Sequence, residues 1–591
     1  MGKLGGAVCH RRWLQRIILV GVPLCLMAGA VRTWSQTPTN QGLVIQGGTV
    51  IDLLRGMLLP NSVVVIQADR IAQVGTAGQV TVPAGAQVIR AEGKFILPGL
   101  WDSHAHTRDY DGDLNINHGV TSTMDMGNLM DWILALQEVR EKQLGVGPRI
   151  FPQGMSIGGT LGPHQWAAKN AEDALWSAQQ NIAAGVSFLK VYTSATPEMI
   201  RSVARVAQSA GLNLMAHVGR ADAREAILGG VNGLAHGSGI AAATASPEEA
   251  EKIKSGGGEG SASYAYADPA KYDDLIKLMV ARNVRLEPNI VQVFHGIYPQ
   301  WDAYQLETHR LSMLPQLHYL REQHEMYVRM WHTDFPYRPY PPPPDLRGAL
   351  EKGLANHQLF ARKLSEAGGK LLVGTDNYYH AMAGLAVWHE MELLAAAGVA
   401  PLKILQAATI NAAEFVHQEK NLGTVEAGKL ADLIILGKNP LDDIKNIRSL
   451  ETVIQHGKVQ ELGYRSEYRV VIPRPYLPVN GQLPRPHLTS VHPVAVPMGT
   501  KNLVLTIKGR NFNRANRVLW DDVDLRVLDW SPTEMKVAVP DDLPTRLGTA
   551  KVHMITGGRV HQEGDNFQEV MITAGHHAEQ RWNGQRMSDE F

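Results

Sequence analysis

The sequence predicts an α/β barrel with a small β domain built from both of its flanks and a separate β-sandwich towards the C-terminus. Three patterns carry that expectation. Between residues 92 and 423, short apolar runs alternate with stretches whose apolar residues recur at helical spacing. On both sides of that region the texture changes to short strands and turns. After a proline-rich stretch at 471–486, apolar residues return at strand spacing. At 591 residues, 44% hydrophobic and 19% charged, the chain is long enough for several domains with substantial cores.

The first residues read differently from the rest. His10, Arg11, Arg12 and Arg16 precede an apolar stretch from Ile17 to Val31, and Ala28-Gly29-Ala30 suits a signal peptidase. A basic region followed by an apolar one of this length predicts a signal peptide over 1–31 and export to the periplasm or beyond. The alternative is an uncleaved membrane anchor, against which about 15 apolar residues fall short of the ~20 that span a bilayer. Both cysteines, Cys9 and Cys25, lie in this segment. The processed chain would then hold no thiol, and any metal site would use nitrogen and oxygen ligands. With 57 basic and 57 acidic residues and no long basic run, nucleic acid is excluded as an expected partner.

The first flank, 42–91, contains Leu43-Val44-Ile45, a Gly47-Gly48 turn, Ser62 to Ile66 and Val80-Thr81-Val82. The second, 424–465, contains Ala431 to Leu436, Glu451 to Ile454 and a turn at Gln455 to Lys458. Together they predict one composite β domain. The barrel strands expected between them include Phe95-Ile96-Leu97, Gly119 to Thr123, Ser187 to Val191, Leu212 to Ala216 and Lys370 to Val373; Pro197 to Ala210 and Leu385 to Ala397 read as helices. A glycine-rich loop lies within 251–270. The aromatic stretch 291–347 is too long for a bare loop and is either a covering lid or a surface excursion. Past the linker, Leu503 to Ile507, Val518-Leu519-Trp520 and Met535 to Val539 predict the separate β-sandwich, and the tail from His576 is polar.

Polar residues capable of binding metal recur at the ends of the strand-like runs, where barrel enzymes place their sites. His104 and His106 flank Ala105, and residues two apart in an extended segment face the same side. His217 follows Leu212 to Ala216, His236 closes Val231 to Ala235, and Asp376 follows Leu371 to Thr375. Any one of these would pass for a solvated loop residue; the ordered set points to a metal centre.

Four motifs then identify a resemblance: Leu97-Pro98-Gly99 leading into His104-Ala105-His106, Gly119-Val120-Thr121-Ser122-Thr123, Gly374-Thr375-Asp376, and Leu422-Gly423-Thr424-Val425-Glu426-Ala427-Gly428-Lys429-Leu430-Ala431-Asp432. With them, residues 42 to about 465 resemble the amidohydrolase superfamily, the metal-dependent group related to urease, dihydroorotase, imidazolonepropionase and prolidase-like dipeptidases. The resemblance implies a (β/α)8 TIM barrel and a composite β-sandwich. It also implies two divalent metal ions, zinc by preference, with His104 and His106 on one and His217 and His236 on the other. Lys190, in Phe188-Leu189-Lys190-Val191-Tyr192, matches the lysine that bridges both metals as a carbamate. An ammonium has no lone pair to donate, so bridging requires carboxylation, and an ordinary lysine would leave a single-metal site.

By the same resemblance Asp376 binds the first metal and takes the proton of the nucleophilic water. His164, ending the glycine-rich run from Gly158, stands where related dipeptidases carry a catalytic or substrate-binding histidine, and Tyr192 is a second substrate-binding candidate. His118, Asp125, His295 and Glu287 rank below them. Residues 484–570 resemble an IPT/TIG immunoglobulin-like domain, through Pro486, Val491-His492-Pro493, Leu505 to Phe512 and Val537 to Pro540. The expected activity is hydrolysis of an amide-type C–N bond in a small molecule, with a dipeptide ahead of a cyclic amide or deaminase substrate. A non-catalytic surface-binding protein with a degenerate barrel is the reading from another class. Homo-oligomerisation stays open.

Overall fold

The structure, a computed structural model, describes residues 42–158, 165–166, 168–255, 260–320, 344–377, 381–466, 472, 486–510, 512, 516–521, 523–555 and 563–573. The expected signal segment 1–31, Gly256-Gly257-Gly258, residues 321–343 of the 291–347 stretch, most of the 471–486 linker, His164 and the tail from His576 lie outside the described residues.

The two flanks meet in one sheet. Its strands are β1 (Leu43–Asp52), β2 (Met57–Gln67), β3 (Arg70–Thr76), β4 (Gln87–Arg90) and β5 (Phe95–Pro98) from the first flank, and β15 (Leu433–Leu436), β16 (Leu450–Gln455) and β17 (Lys458–Gln460) from the second. The order is β17-β16-β15-β5-β1-β2-β3, with β4 added alongside β1. Alternation along β1 sends Ile45 into a core with Val64, Ile66, Ile96, Leu433 and Ile435, while Val44 faces Val63 and Val65 on the other side. Full burial of a branched side chain such as Ile45 stabilises by about 2 kcal/mol.

Two expected strands fall elsewhere. Phe95-Ile96-Leu97 belongs to this sheet and not to the parallel strands of the central region: Leu97 pairs antiparallel with Ile434 and Pro98 with Leu433, so Leu97-Pro98 stitches the second flank onto the first. Val80-Thr81-Val82 forms no strand beyond a single bridge between Ala77 and Val80, since Pro83 follows directly and Val82 is exposed; the strand comes later, as β4.

The central region is an α/β unit of parallel strands. β6 (Leu100–Ala105), β7 (Val120–Asp125) and β8 (Arg149–Pro152) form one sheet. A second contains β9 (Ser156–Ile157), β10 (Gln165–Trp166), β11 (Leu189–Val191), β12 (Leu214–Ala216), β13 (Gly233–Ala235) and β14 (Arg285–Glu287), in the order β10-β9-β11-β12-β13-β14. Backbone bonds join the two. Ser187 N donates to Pro152 O (2.7 Å) on one side. On the other, residues 371–376 lie between β14 and β6: Leu372 N donates to Leu286 O (2.8 Å), Ser103 N to Val373 O (2.8 Å) and Asp376 N to His104 O (2.7 Å).

The helices between them follow from ordinary signals. Pro197–Ser209 starts with Pro197 in its first turn and Thr196 accepting from Met199 N, and turns Met199, Ile200, Val203 and Ala207 inward. Leu385–Ala396 is buried on nearly every side, including Glu390 and Glu392. Beyond the linker, eight strands between His487 and Thr573 among the described residues form a β-rich C-terminal domain around Leu505, Ile507, Trp520, Val537 and Val552. It rests against the helix Ala171–Ala184, with the Arg517 guanidinium 5.8 Å from the Trp176 ring centre.

Candidate metal centre

Parallel strands present their C-terminal ends on one side, and the six expected ligand positions occupy those ends. His104 is in β6 and His106 follows it; Lys190 is in β11; His217, His236 and Asp376 follow β12, β13 and the 371–373 segment. One ligand atom from each of His104, His236 and Asp376 lies within 4.8 Å of the others. His106 Nε2 lies 3.0 Å from Asp376 Oδ1, and the His217 and His236 ring centres are 4.6 Å apart. Lys190 Nζ is 3.2 Å from His104 Nε2, and Tyr192 lies edge-on to His217 at 4.9 Å.

The protonation states suit cation binding. Burial holds His104 and His217 well below the ordinary histidine value and brings His236 down to about 4, so all three rings are neutral lone-pair donors at pH 7. Burial raises the Asp376 carboxyl, but the facing His104, His106 and His236 outweigh it and hold the acid well below its usual range. Burial also lowers Lys190 to about 8, against the pull of Asp376 and Glu287. Burial pushes Glu287 up, against the opposing pull of Lys190, and pushes its partner His104 down.

The residues fit a divalent cation on structural grounds as well. The buried Nδ1 of His217 has no hydrogen-bond partner among the described residues, which leaves it available to a cation. His236 (φ 58°) and Asp376 (φ 47°) sit in the left-handed region, where a non-glycine residue costs about 1–3 kcal/mol and persists only when its surroundings enforce it. Those surroundings are visible: Asn289 Oδ1 accepts from His236 N at 3.3 Å, and Asp376 N is tied to β6.

Some supporting residues carry no obvious sequence signal. Buried Asp102 accepts from His104 N (3.1 Å), Thr375 N (3.0 Å) and Thr375 Oγ1 (2.6 Å), clamping β6 to the Asp376 turn. Asn377 Oδ1 accepts from His106 N (2.5 Å), and its Nδ2 donates to Asp111 (3.1 Å). Their position flanking the motif residues was the available hint. Of the lower-ranked candidates, Asp125 clamps the turn after His106, accepting from Thr107 N (3.0 Å), Gly127 N (3.2 Å) and Asn128 Nδ2 (3.0 Å). His118 Nδ1 donates to Leu114 O (2.8 Å) and packs on Trp388; His295 Nδ1 donates to Gln292 O (2.7 Å). Glu287 reaches the ligand set directly, 2.7 Å from His104 Nδ1.

Comparison with known proteins converges on the same region. The profile of the amidohydrolase family matches residues 95–460, and that of the IPT/TIG domain matches 486–568. An adenine deaminase from Paracoccus denitrificans (strain Pd 1222) is 33% identical over 106 residues, 17% of this chain and 17% of its own length. The chain thus spans about a sixth of that curated relative. Two solved structures share the fold: molinate hydrolase (TM-score 0.53, 18% identity, covering 71% of this chain and 95% of the other), and a prolidase complexed with N-methylphosphonate-L-proline (TM-score 0.50, 23% identity, 71% and 100%).

Proposed function

The chain belongs to the amidohydrolase family, and on that footing we propose that it is a metal-dependent hydrolase of an amide-type C–N bond, with a dipeptide of the prolidase kind as first substrate. The observation that carries this reading is the convergence of His104, His236 and Asp376 within 4.8 Å, with His106, His217 and Lys190 beside them. We read the parallel segments as a distorted (β/α)8 barrel and the C-terminal domain as an immunoglobulin-like sandwich that positions or binds without chemistry of its own.

In this reading two divalent ions, zinc by preference, are held by His104, His106, His217, His236, Asp376 and a carboxylated Lys190. Bound there, they supply Lewis-acid polarisation of the scissile carbonyl and an acidified water. The chain's own groups do the rest. With a value near 8, Lys190 has an appreciable neutral fraction at pH 7 to 8, and its Nζ lone pair can add to CO₂, forming an N–C bond and releasing one proton. Asp376, ionised and aimed at the same centre, accepts a proton from the attacking water and returns it to the departing nitrogen. Tyr192, beside His217, lines the substrate space. His164 is kept as a substrate-binding and catalytic candidate on its motif alone.

No helix among the described residues is long and apolar enough to cross a membrane; export is proposed from the basic and apolar pattern of residues 1–31. A second reading, cleavage of a cyclic amide or a ring deamination, draws on the short stretches shared with an adenine deaminase and with a dihydroorotase from Pelotomaculum thermopropionicum. A panel of Xaa-Pro and other dipeptides, hydantoin-type rings and aminopurines separates the two. Turnover of dipeptides with rings inert supports the first; turnover confined to rings overturns it.

A further inference from the structure

Glu287 stands at the end of β14 and reaches across the strand ends to His104, 183 residues earlier in the chain. Its Oε2 lies 2.7 Å from His104 Nδ1, and both side chains are fully buried. The ring has two nitrogens, and the contact fixes which one is free: with Nδ1 engaged, Nε2 is the atom turned towards Lys190 Nζ (3.2 Å) and Asp376 Oδ1 (3.8 Å). The backbone of His104 is held separately by Asp102, through His104 N to Oδ1 at 3.1 Å. One carboxylate therefore sets where the residue sits and another sets how its ring turns.

The other oxygen of Glu287, Oε1, is buried without a hydrogen-bond partner among the described residues. Room for it is made by Gly374. A Cβ at that position would lie 2.2 Å from Glu287 Oε1 and 2.7 Å from His104 Cβ, so any side chain there must displace the pair. This gives the glycine of Gly374-Thr375-Asp376 a role in packing, separate from backbone conformation.

We propose that Glu287 is a positioning residue for the metal centre: it accepts the Nδ1 hydrogen of His104, fixes the tautomer that leaves Nε2 as the ligand atom, and raises the basicity of that nitrogen, with Gly374 keeping the space it needs. The inference rests on the metal-centre reading above. A carboxylate behind a ligating imidazole acts in this way by withdrawing the ring proton from the ligand side, and its removal generally costs about 10–100-fold in metal affinity or activity.

The test uses the full chain. Metal-free wild type, E287Q, E287A and G374A are titrated with Zn²⁺ in competition with a chromophoric chelator, with far-ultraviolet circular dichroism confirming the fold. E287Q keeps the shape but puts an amide where the carboxyl group stood, so it decides the matter if E287A fails to fold. The expected result is zinc affinity lower by about 10–100-fold in E287Q and in G374A with the spectrum unchanged, and a lower kcat at unchanged KM in the zinc-loaded variants. Folded E287Q that binds zinc as tightly as wild type overturns the inference and leaves the metal-centre reading standing. Wild type that binds no zinc or other divalent ion strikes that reading itself, and the inference falls with it.

Discussion

Lys190 is the residue on which the number of metals turns. It is almost fully buried, held near pH 8 by that burial, and 3.2 Å from His104 Nε2. In the proposed two-metal reading a carboxylated Lys190 would help to hold both ions, so Lys190→Ala should reduce bound metal from two per chain to at most one and lower kcat/KM by about 100-fold or more. Metal analysis by mass spectrometry alongside steady-state kinetics checks both numbers; two metals retained in the variant would remove the bridge. Asp376→Asn alters a proposed metal ligand and removes the proton acceptor together: kcat should fall by about 10²–10⁴-fold with the substrate KM little changed, and metal content measured on the same sample shows how much of the fall is lost metal. At this scale the sequence was informative where chemistry has a local signature. His104 and His106, two apart at the end of one strand, were singled out by spacing, and His217, His236 and Asp376 by their place at strand ends. Lys190 came only through resemblance, because a lone lysine in an apolar strand has no distinguishing neighbours. Glu287 was named but ranked low, since no periodicity reveals a partner 183 residues away, and Asp102 went unnamed, since nothing in its spacing two residues before His104 shows that it accepts from the backbone.

The elements around the site are fastened by buried charges as well as by apolar packing. Arg448, in the short helical turn Ile444–Ser449, binds Glu392 on the helix Leu385–Ala396 (Nε to Oε1, 2.5 Å) and Glu307 on the helix Trp301–Ser312 (Nη1 to Oε1, 2.5 Å). His389 closes the network on Glu307 at 2.9 Å and stacks on Tyr304 at 3.8 Å. Glu392 is nearly buried, so Arg448→Ala takes the paired charge away from a carboxylate that keeps the Tyr304 hydroxyl (2.8 Å) as a donor. The expected loss is about 3 kcal/mol, seen as a lower midpoint in urea unfolding; no change would show that solvent or another cation takes over. Glu390, on the same helix, accepts from Ile290 N (3.0 Å) and Val291 N (2.8 Å) and so anchors the chain just after β14. Helical periodicity located the segment 385–397 but not these roles, since a helix packed on every side has no polar face to read. The reassignment of Phe95-Ile96-Leu97 has a similar cause: a short apolar run fits any buried sheet, and only pairing with β15 distinguishes which.

Over the whole molecule, buried neutral histidines couple stability to pH. His118 and His357 are lowered to about 4, chiefly by burial. Unfolded, each titrates near 6.5, so between 6.5 and about 4 the unfolded chain binds more protons than the folded one. Stability is therefore complete above about pH 6.5 and declines as pH falls towards 4. Asp102 and Asp111, raised by burial to about 6 and about 7, work in the opposite sense, favouring the folded state as pH falls through those values. His118→Gln isolates one contribution: the stability lost between pH 7 and pH 5 should shrink by about 2 kcal/mol relative to wild type, measured by urea titration at both values. An unchanged loss would mean that His118 is already protonated in the folded state.

The central claim is that hydrolysis depends on metal held by the six strand-end residues. It is tested most directly by measuring metal content and dipeptide turnover on the same samples, as purified, after chelator treatment, and after re-addition of Zn²⁺. The account predicts two metals per chain, activity lost together with them, and activity restored on reloading. Folded protein that hydrolyses the substrate equally well after its metal is removed would contradict it.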